Sequence, residues 1–169
     1  DYISLVKIPT VELTEEDRLL ATQAKFISNV IEDLEQIEKL VKTKPSKIYI
    51  YVNAAWKNHL YTVAQQLFKD EAMNIGKLMA EAKKDPELQR HMKEIANEAK
   101  IMQKDSSVFR IELLSVALQK QALEGYRSYI QEKFGGAEVI IFVADETNIY
   151  DPQKKSLKAR PMKPAIYVE

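Results

Sequence analysis

The chain has 169 residues, 46% hydrophobic and 30% charged, with 25 basic side chains against 25 acidic ones, which suits one or two small globular units and excludes a disordered tail. Only 4 Gly, 6 Pro and no Cys rule out collagen-like sequence, disulfides, thiolate catalysis, Cys-ligated zinc and iron–sulfur clusters. Two histidines far apart in the chain, His59 and His91, leave almost no material for a histidine metal site or a Ser–His triad.

In chain order, Tyr2 to Pro9 reads as extended lead-in. Thr14-Glu15-Glu16-Asp17 then has the form of an N-cap followed by acids that favour the positive end of a helix dipole. Leu20, Ala24, Ile27, Val30, Ile31, Leu34, Ile37 and Val41 recur every three or four residues, predicting a long amphipathic helix to about Thr43. Such a stripe must be buried, in a helical bundle or on the rest of the chain. Lys44-Pro45-Ser46 breaks the helix, and Ile48 to Val52 is a strand by its β-branched and aromatic content. Asn53 is placed to cap a following helix whose buried face carries Trp56, Leu60, Val63, Ala64, Leu67 and Phe68. Trp56 is assigned to the core.

A helix with Ile75, Leu78, Met79 and Ala82 ends near Lys84. Asp85-Pro86 caps the next, on which Leu88, Met92, Ile95, Ala99 and Met102 step by threes and fours. After Asp105-Ser106-Ser107 a helix of about 25 residues is expected, with Leu113, Val116, Ala117, Leu123, Ile130 and Phe134 apolar and Gly135-Gly136 as its stop. The continuous run Val139 to Val143 reads as the central strand of a small sheet. From Asp145 to Pro164 the chain is polar, basic and aperiodic, the pattern of a long mobile loop with a functional reason. Ala165 to Glu169 makes a short terminal strand. The fold class is therefore α/β of the α+β kind: a long N-terminal helix, then a mixed sheet of about three strands covered by helices.

The search for chemistry returns little. A phosphate-binding Gly-x-x-x-x-Gly-Lys-Ser/Thr loop is absent, and Gly135-Gly136 precedes a strand rather than opening a helix. No pair of carboxylates is set apart by spacing, so no catalytic and no metal-ligating residue is assigned. No apolar run approaches the roughly 18 residues of a membrane span, and no signal-peptide core is present; a cytoplasmic location without membrane contact is expected. The start at Asp1 suggests an excised fragment. Charge is the remaining signal: residues 1 to 43 sum to −4, whereas residues 147 to 169 sum to +3. Lys154, Lys155, Lys158, Arg160 and Lys163 could neutralise phosphates through charge and reach alone, or belong to a solvated surface loop. Tyr49 and Tyr51 either face outward as base-stacking platforms or pack under a neighbouring element.

Four stretches carry a resemblance. They are Lys47-Ile48-Tyr49-Ile50-Tyr51-Val52-Asn53-Ala54-Ala55-Trp56-Lys57, Asp85-Pro86-Glu87-Leu88, Phe134-Gly135-Gly136-Ala137-Glu138-Val139-Ile140, and Asp151-Pro152 through Arg160-Pro161-Met162-Lys163-Pro164-Ala165-Ile166-Tyr167-Val168-Glu169. In this order they resemble the C-terminal end of archaeal and eukaryotic-cytosolic leucyl-tRNA synthetases. The resemblance implies that residues 1–43 end a helical anticodon-binding-type domain and that 44–169 form a C-terminal tRNA-binding α/β domain contacting the long variable arm of tRNA(Leu). Carried onto this chain, it implies contacts from Lys154, Lys155, Lys158, Arg160, Lys163, Tyr167, Val168 and Glu169; a carboxylate such as that of Glu169 or the C-terminus would repel phosphate and is expected instead to accept from a base amino group. The His-Ile-Gly-His-like and Lys-Met-Ser-Lys-Ser-like signatures of the class are missing, so leucylation with ATP and Mg is implied only for upstream catalytic and editing domains, with no cofactor here. A second reading, from a different class, is a helical interaction module that docks a partner or a second copy through the Leu20–Val41 stripe.

Overall fold

The computed structural model describes residues 14–169; the lead-in expected at Tyr2–Pro9 lies outside them. Helix α1 spans Glu15–Leu40 and starts with a reciprocal cap. The Thr14 side chain accepts from the Asp17 N–H at 3.1 Å, and the Asp17 carboxylate accepts from the Thr14 N–H at 3.3 Å, which satisfies two of the helix's orphan donors. Strand β1 (Lys47–Val52) leads into α2 (Ala55–Leu67), α3 (Ile75–Lys84), α4 (Met92–Lys104), α5 (Val116–Lys133), β2 (Glu138–Val143) and β3 (Ala165–Val168). The sheet order is β2-β1-β3, with β1 parallel to β2 and antiparallel to β3.

Two hydrophobic clusters form the core. In the first, Phe26, Ile27, Val30 and Leu34 of α1 and Leu123 and Ile130 of α5 pack on Ile48, Ile50, Val52, Val139, Ile141 and Ile166 of the sheet. The second joins α2, α3 and α4 through Leu60, Tyr61, Phe68, Leu78, Leu88, Ile95 and Met102. The middle of the α1 stripe is thus consumed within the chain, while Leu20 is 58% and Leu40 82% exposed.

Several sequence expectations are corrected. The central strand is β1, every residue of which beyond Lys47 is buried, and β2 is an edge strand; apolar content registers burial but not the number of neighbours. Tyr49 and Tyr51 face inward, at 5% and 0% exposure, so neither is a free platform. Asn53 does not cap α2. Its amide donates to Ala54 O and Asn58 Oδ1, Ala54 takes the cap position, and Asp145, at the end of β2, accepts from the Ala55 N–H at 3.2 Å. The Leu88–Met102 helix is divided by a 3-10 turn at Leu88–His91. Likewise the helix expected after Ser107 is a short 3-10 turn at Ser106–Val108 and an irregular stretch, with α5 starting only after Ser115, whose hydroxyl accepts from Leu118 N–H at 3.1 Å. The glycine stop holds: Gly135 and Gly136 have φ of 74° and 86°, and the Gly136 N–H returns to Gln131 O at 2.7 Å, closing α5 in left-handed backbone that glycine adopts without penalty.

Because Ser115 begins α5, Ser115→Ala should lower unfolding free energy by about 1 kcal/mol in urea titration. An unchanged or raised stability would mean the position lies inside a continuous helix, where Ala is the better residue.

Candidate nucleic-acid interface

The basic stretch is folded over the second face of the sheet, which corrects its reading as a mobile loop. Tyr51 OH donates to Tyr150 O, and the Tyr49 ring stacks between neighbours, 5.0 Å from Tyr150 and 5.8 Å from Tyr167. Asp151 organises the next turn by accepting from the Lys155 N–H at 2.8 Å, the Ser156 N–H at 3.1 Å and the Ser156 hydroxyl. Lys155–Lys158 is a 3-10 turn, with Ser156 and Ala159 buried. Arg160 and Lys163 then close a tight hairpin through two backbone bonds of 3.0 and 2.9 Å. Pro161 and a positive φ of 66° at Met162 supply what a type II turn needs. Among the described residues, the three non-glycine ones with positive φ, Asn148, Lys154 and Met162, all lie in this segment, and such backbone persists only when surroundings over-determine it.

One surrounding contact is a buried ammonium. Lys57 of α2 is 5% exposed, yet its Nζ donates to Leu157 O and Ala159 O, both at 2.8 Å, and lies 3.6 Å from Glu98 Oε1 on α4. Glu98 in turn accepts from Tyr61 OH at 2.8 Å and has Arg160 Nε at 3.9 Å. Burial pushes the Lys57 pKa down, opposed by the Glu98 charge and hydrogen bond, while burial and Glu98 together push Tyr61 up. The network satisfies carbonyls that a folded-back loop would otherwise leave unpaired.

The expected contact residues fall into two groups. Lys155, Lys158, Arg160 and Lys163 line one shallow groove of about 210 Å³ with Pro164, Ala165 and Ile166, and Lys154 opens the adjoining turn. Among the described residues, Lys154, Lys155, Lys158 and Lys163 have no acidic side chain in ion-pair range. Tyr167 and Val168 complete β3 and Glu169 follows it, none of the three lining that groove. Glu169 O accepts from the Ser46 N–H at 2.6 Å and the Lys47 N–H at 3.1 Å, and its carboxylate accepts from Tyr150 OH and Tyr167 OH. The carboxylate expected to meet a base is therefore already held by two phenols through Oε1.

Sequence reasoning missed a cleft of about 600 Å³ at the C-terminal ends of parallel strands β1 and β2. Trp56 is partly buried against the second hydrophobic cluster and also stands on the cleft wall, stacked on His91 at 4.4 Å and 8°. Ser156 and Leu157 of the basic turn also line it. A different small cluster, His59, Asp85 and Glu87, brings three ligand-type atoms within 4.8 Å. Asp85 is held low there by its hydrogen bond to His59 and by the N–H groups of Leu88 and Glu87, so its carboxylate already serves as a cap.

Removing the buried ammonium with Lys57→Met leaves Glu98 without its main partner. The expected loss is about 3 kcal/mol of stability, with faster amide exchange across 154–160; a loss below about 1 kcal/mol would show that the network does not hold the turn. The Tyr150 phenol, pushed up to about 12 chiefly by its bond to Glu169, gives a second prediction. Since folding raises this pKa, the bond's stabilisation is complete below about 10, the ordinary tyrosine value, and disappears as pH climbs through about 12. Phenolate absorbance should show one late-titrating tyrosine fewer in Glu169→Gln.

No family model matches the chain. Among curated proteins it is similar to leucine–tRNA ligases of Methanosarcina acetivorans, at 35% identity over 178 residues, Methanosarcina mazei, at 32% over 176, and Methanococcoides burtonii, at 30% over 178. Each alignment takes in 100% of this chain and 18% of the relative. The chain therefore spans about a fifth of the length of the relatives it matches, and across its whole length it is similar to that part of these leucine–tRNA ligases.

Proposed function

We propose that this chain is the tRNA(Leu)-binding C-terminal region of a leucine–tRNA ligase, and that it grips the long variable arm while upstream domains carry out ATP- and Mg-dependent leucylation. The reading keeps the division at residue 43, contact with catalytic and editing domains of the same polypeptide, and a cytoplasmic setting. The observation that carries it is the set of lysines without acidic partners, Lys154, Lys155, Lys158 and Lys163, on a segment of fixed backbone beside the Tyr150–Tyr167–Glu169 cluster.

An RNA stem hides its base edges in a narrow major groove, so a protein meets it through shape and phosphates and reads bases where they are unpaired. Cations on a folded turn suit the first task better than a mobile loop would, because their spacing is set before the RNA arrives and less ordering entropy is lost. Glu169, with Oε1 engaged by two phenols, keeps Oε2 for an amino group of an unpaired base. Binding energy gathered this far from the reacting atoms would contribute by positioning the tRNA 3′ end.

Binding to tRNA(Leu) should exceed binding to a tRNA with a short variable arm, and affinity should fall steeply with salt. Replacing Lys154, Lys155 and Lys158 together by Ala should flatten the log–log salt slope by about two to three, at roughly 0.7–0.9 per phosphate contact. Equal affinity for both tRNAs, or an unchanged slope, overturns the proposal.

A further inference from the structure

The cleft between α2, α4 and the basic turn has no part in the phosphate contacts above, and its lining suits a different chemical group. One wall is aromatic, the Trp56–His91 stack. His91, the N-cap of α4, and Glu94 and Asn97 on that helix succeed one another at three-residue steps and all line the cleft, the two helical side chains sharing one face. Among the described residues Glu94 and Asn97 have neither hydrogen-bond nor ion-pair partners, whereas the deeper Glu98 is already engaged by Lys57, Tyr61 and Arg160. A carboxylate acceptor and an amide thus stand free beside an aromatic surface.

The lining carries four carboxylates, Glu87, Glu94, Glu98 and Asp145, against two cations, Lys57 and Arg90, a net negative balance that disfavours a phosphate. Such a lining accepts the amino and imino N–H groups of a nucleobase edge, and aromatic or imidazole rings are the surfaces on which splayed bases stack. A volume of about 600 Å³ falls within the range of small-ligand sites, roughly 300–1,000 Å³. The rest of the lining decides between a base and an isolated cation. It includes Ser156 and Leu157, and the lysines next to them in the chain, Lys155 and Lys158, line the neighbouring groove, where they could hold the backbone of a strand whose base enters the cleft.

We propose that the Trp56–His91 cleft receives one unpaired nucleobase of the bound RNA, its amino edge donating to Glu94 and its phosphates resting on the Lys155–Lys158 turn. The assignment rests on the RNA-binding reading above and adds a base site separate from the β3 terminus.

Trp56 is the chain's one tryptophan, so its fluorescence reports on this cleft alone. The experiment titrates the whole chain with an RNA stem-loop bearing an unpaired tip, with the same stem as a blunt duplex, with each of the four nucleoside monophosphates, and with methylguanidine. Affinity is followed independently by anisotropy of labelled RNA. The stem-loop should quench Trp56 while the duplex does not, and Glu94→Gln, at an exposed position, should weaken stem-loop binding about ten-fold, the size expected for one hydrogen bond to a charged acceptor. Asn97→Ala provides a second variant with the same expected direction. Stem-loop binding with Trp56 emission and both variants' affinities unchanged overturns the base site and leaves the RNA-binding reading standing. Quenching by a nucleoside monophosphate with no RNA binding supports the base site and removes that reading. Quenching by methylguanidine alone, equal quenching by the duplex, or no response to any probe overturns the base site.

Discussion

The turn that covers the sheet between β2 and β3 is tied to the helices by one buried cation. Lys57 places its ammonium against two backbone carbonyls, Leu157 O and Ala159 O, and a carboxylate, Glu98, so that a stretch with neither helix nor sheet over most of its length has somewhere to send its polar groups. Burying an ammonium is costly unless its donors are used. Here the cost is offset because the same group satisfies carbonyls that the aperiodic backbone cannot pair with itself. The two hydrophobic clusters are thereby joined: Lys57 and Glu98 belong to the helical unit, while the carbonyls belong to chain lying over the sheet.

That arrangement changes how the positive charge acts. A flexible run of lysines attracts any polyanion and must be ordered on binding. Lysines carried on a turn that Asp151 and Lys57 already shape present a fixed spacing, which suits a partner of definite curvature. The cleft beside the turn differs in character, with four carboxylates against the two cations Lys57 and Arg90 in its lining.

Much of the architecture was legible because the signals are local. Thr14 and Asp17 announce the start of α1, Gly135-Gly136 the end of α5, and the aromatic and β-branched content of 48–52 a strand. What escaped depends on tertiary context. Ser115 resembles any other serine in an apolar stretch until Leu118 N–H is seen to use it. The rank of β1 over β2 turns on which strands lie beside each, a fact neither composition records. Lys57 is buried and Trp56 stands at the core's edge on a cleft wall because α4 and the 156–159 carbonyls approach from distant sequence. The cation group was visible as charge, but the loop's order was not, since its ties come from Lys57 and Gln119, which accepts from the Met162 N–H at 3.3 Å.

The position of β1 also shapes how the polypeptide must come together. Its ladder partners follow by about 90 residues on one side and about 120 on the other, as Ile48 faces Val139 and Val168. A nascent chain carries the uncharged segment Ile48–Val52 without either neighbour until most of the rest has been made, and pairings this distant in sequence close slowly. During synthesis this strand is the place where holdase chaperones would bind, or where unprotected chains would stick to one another.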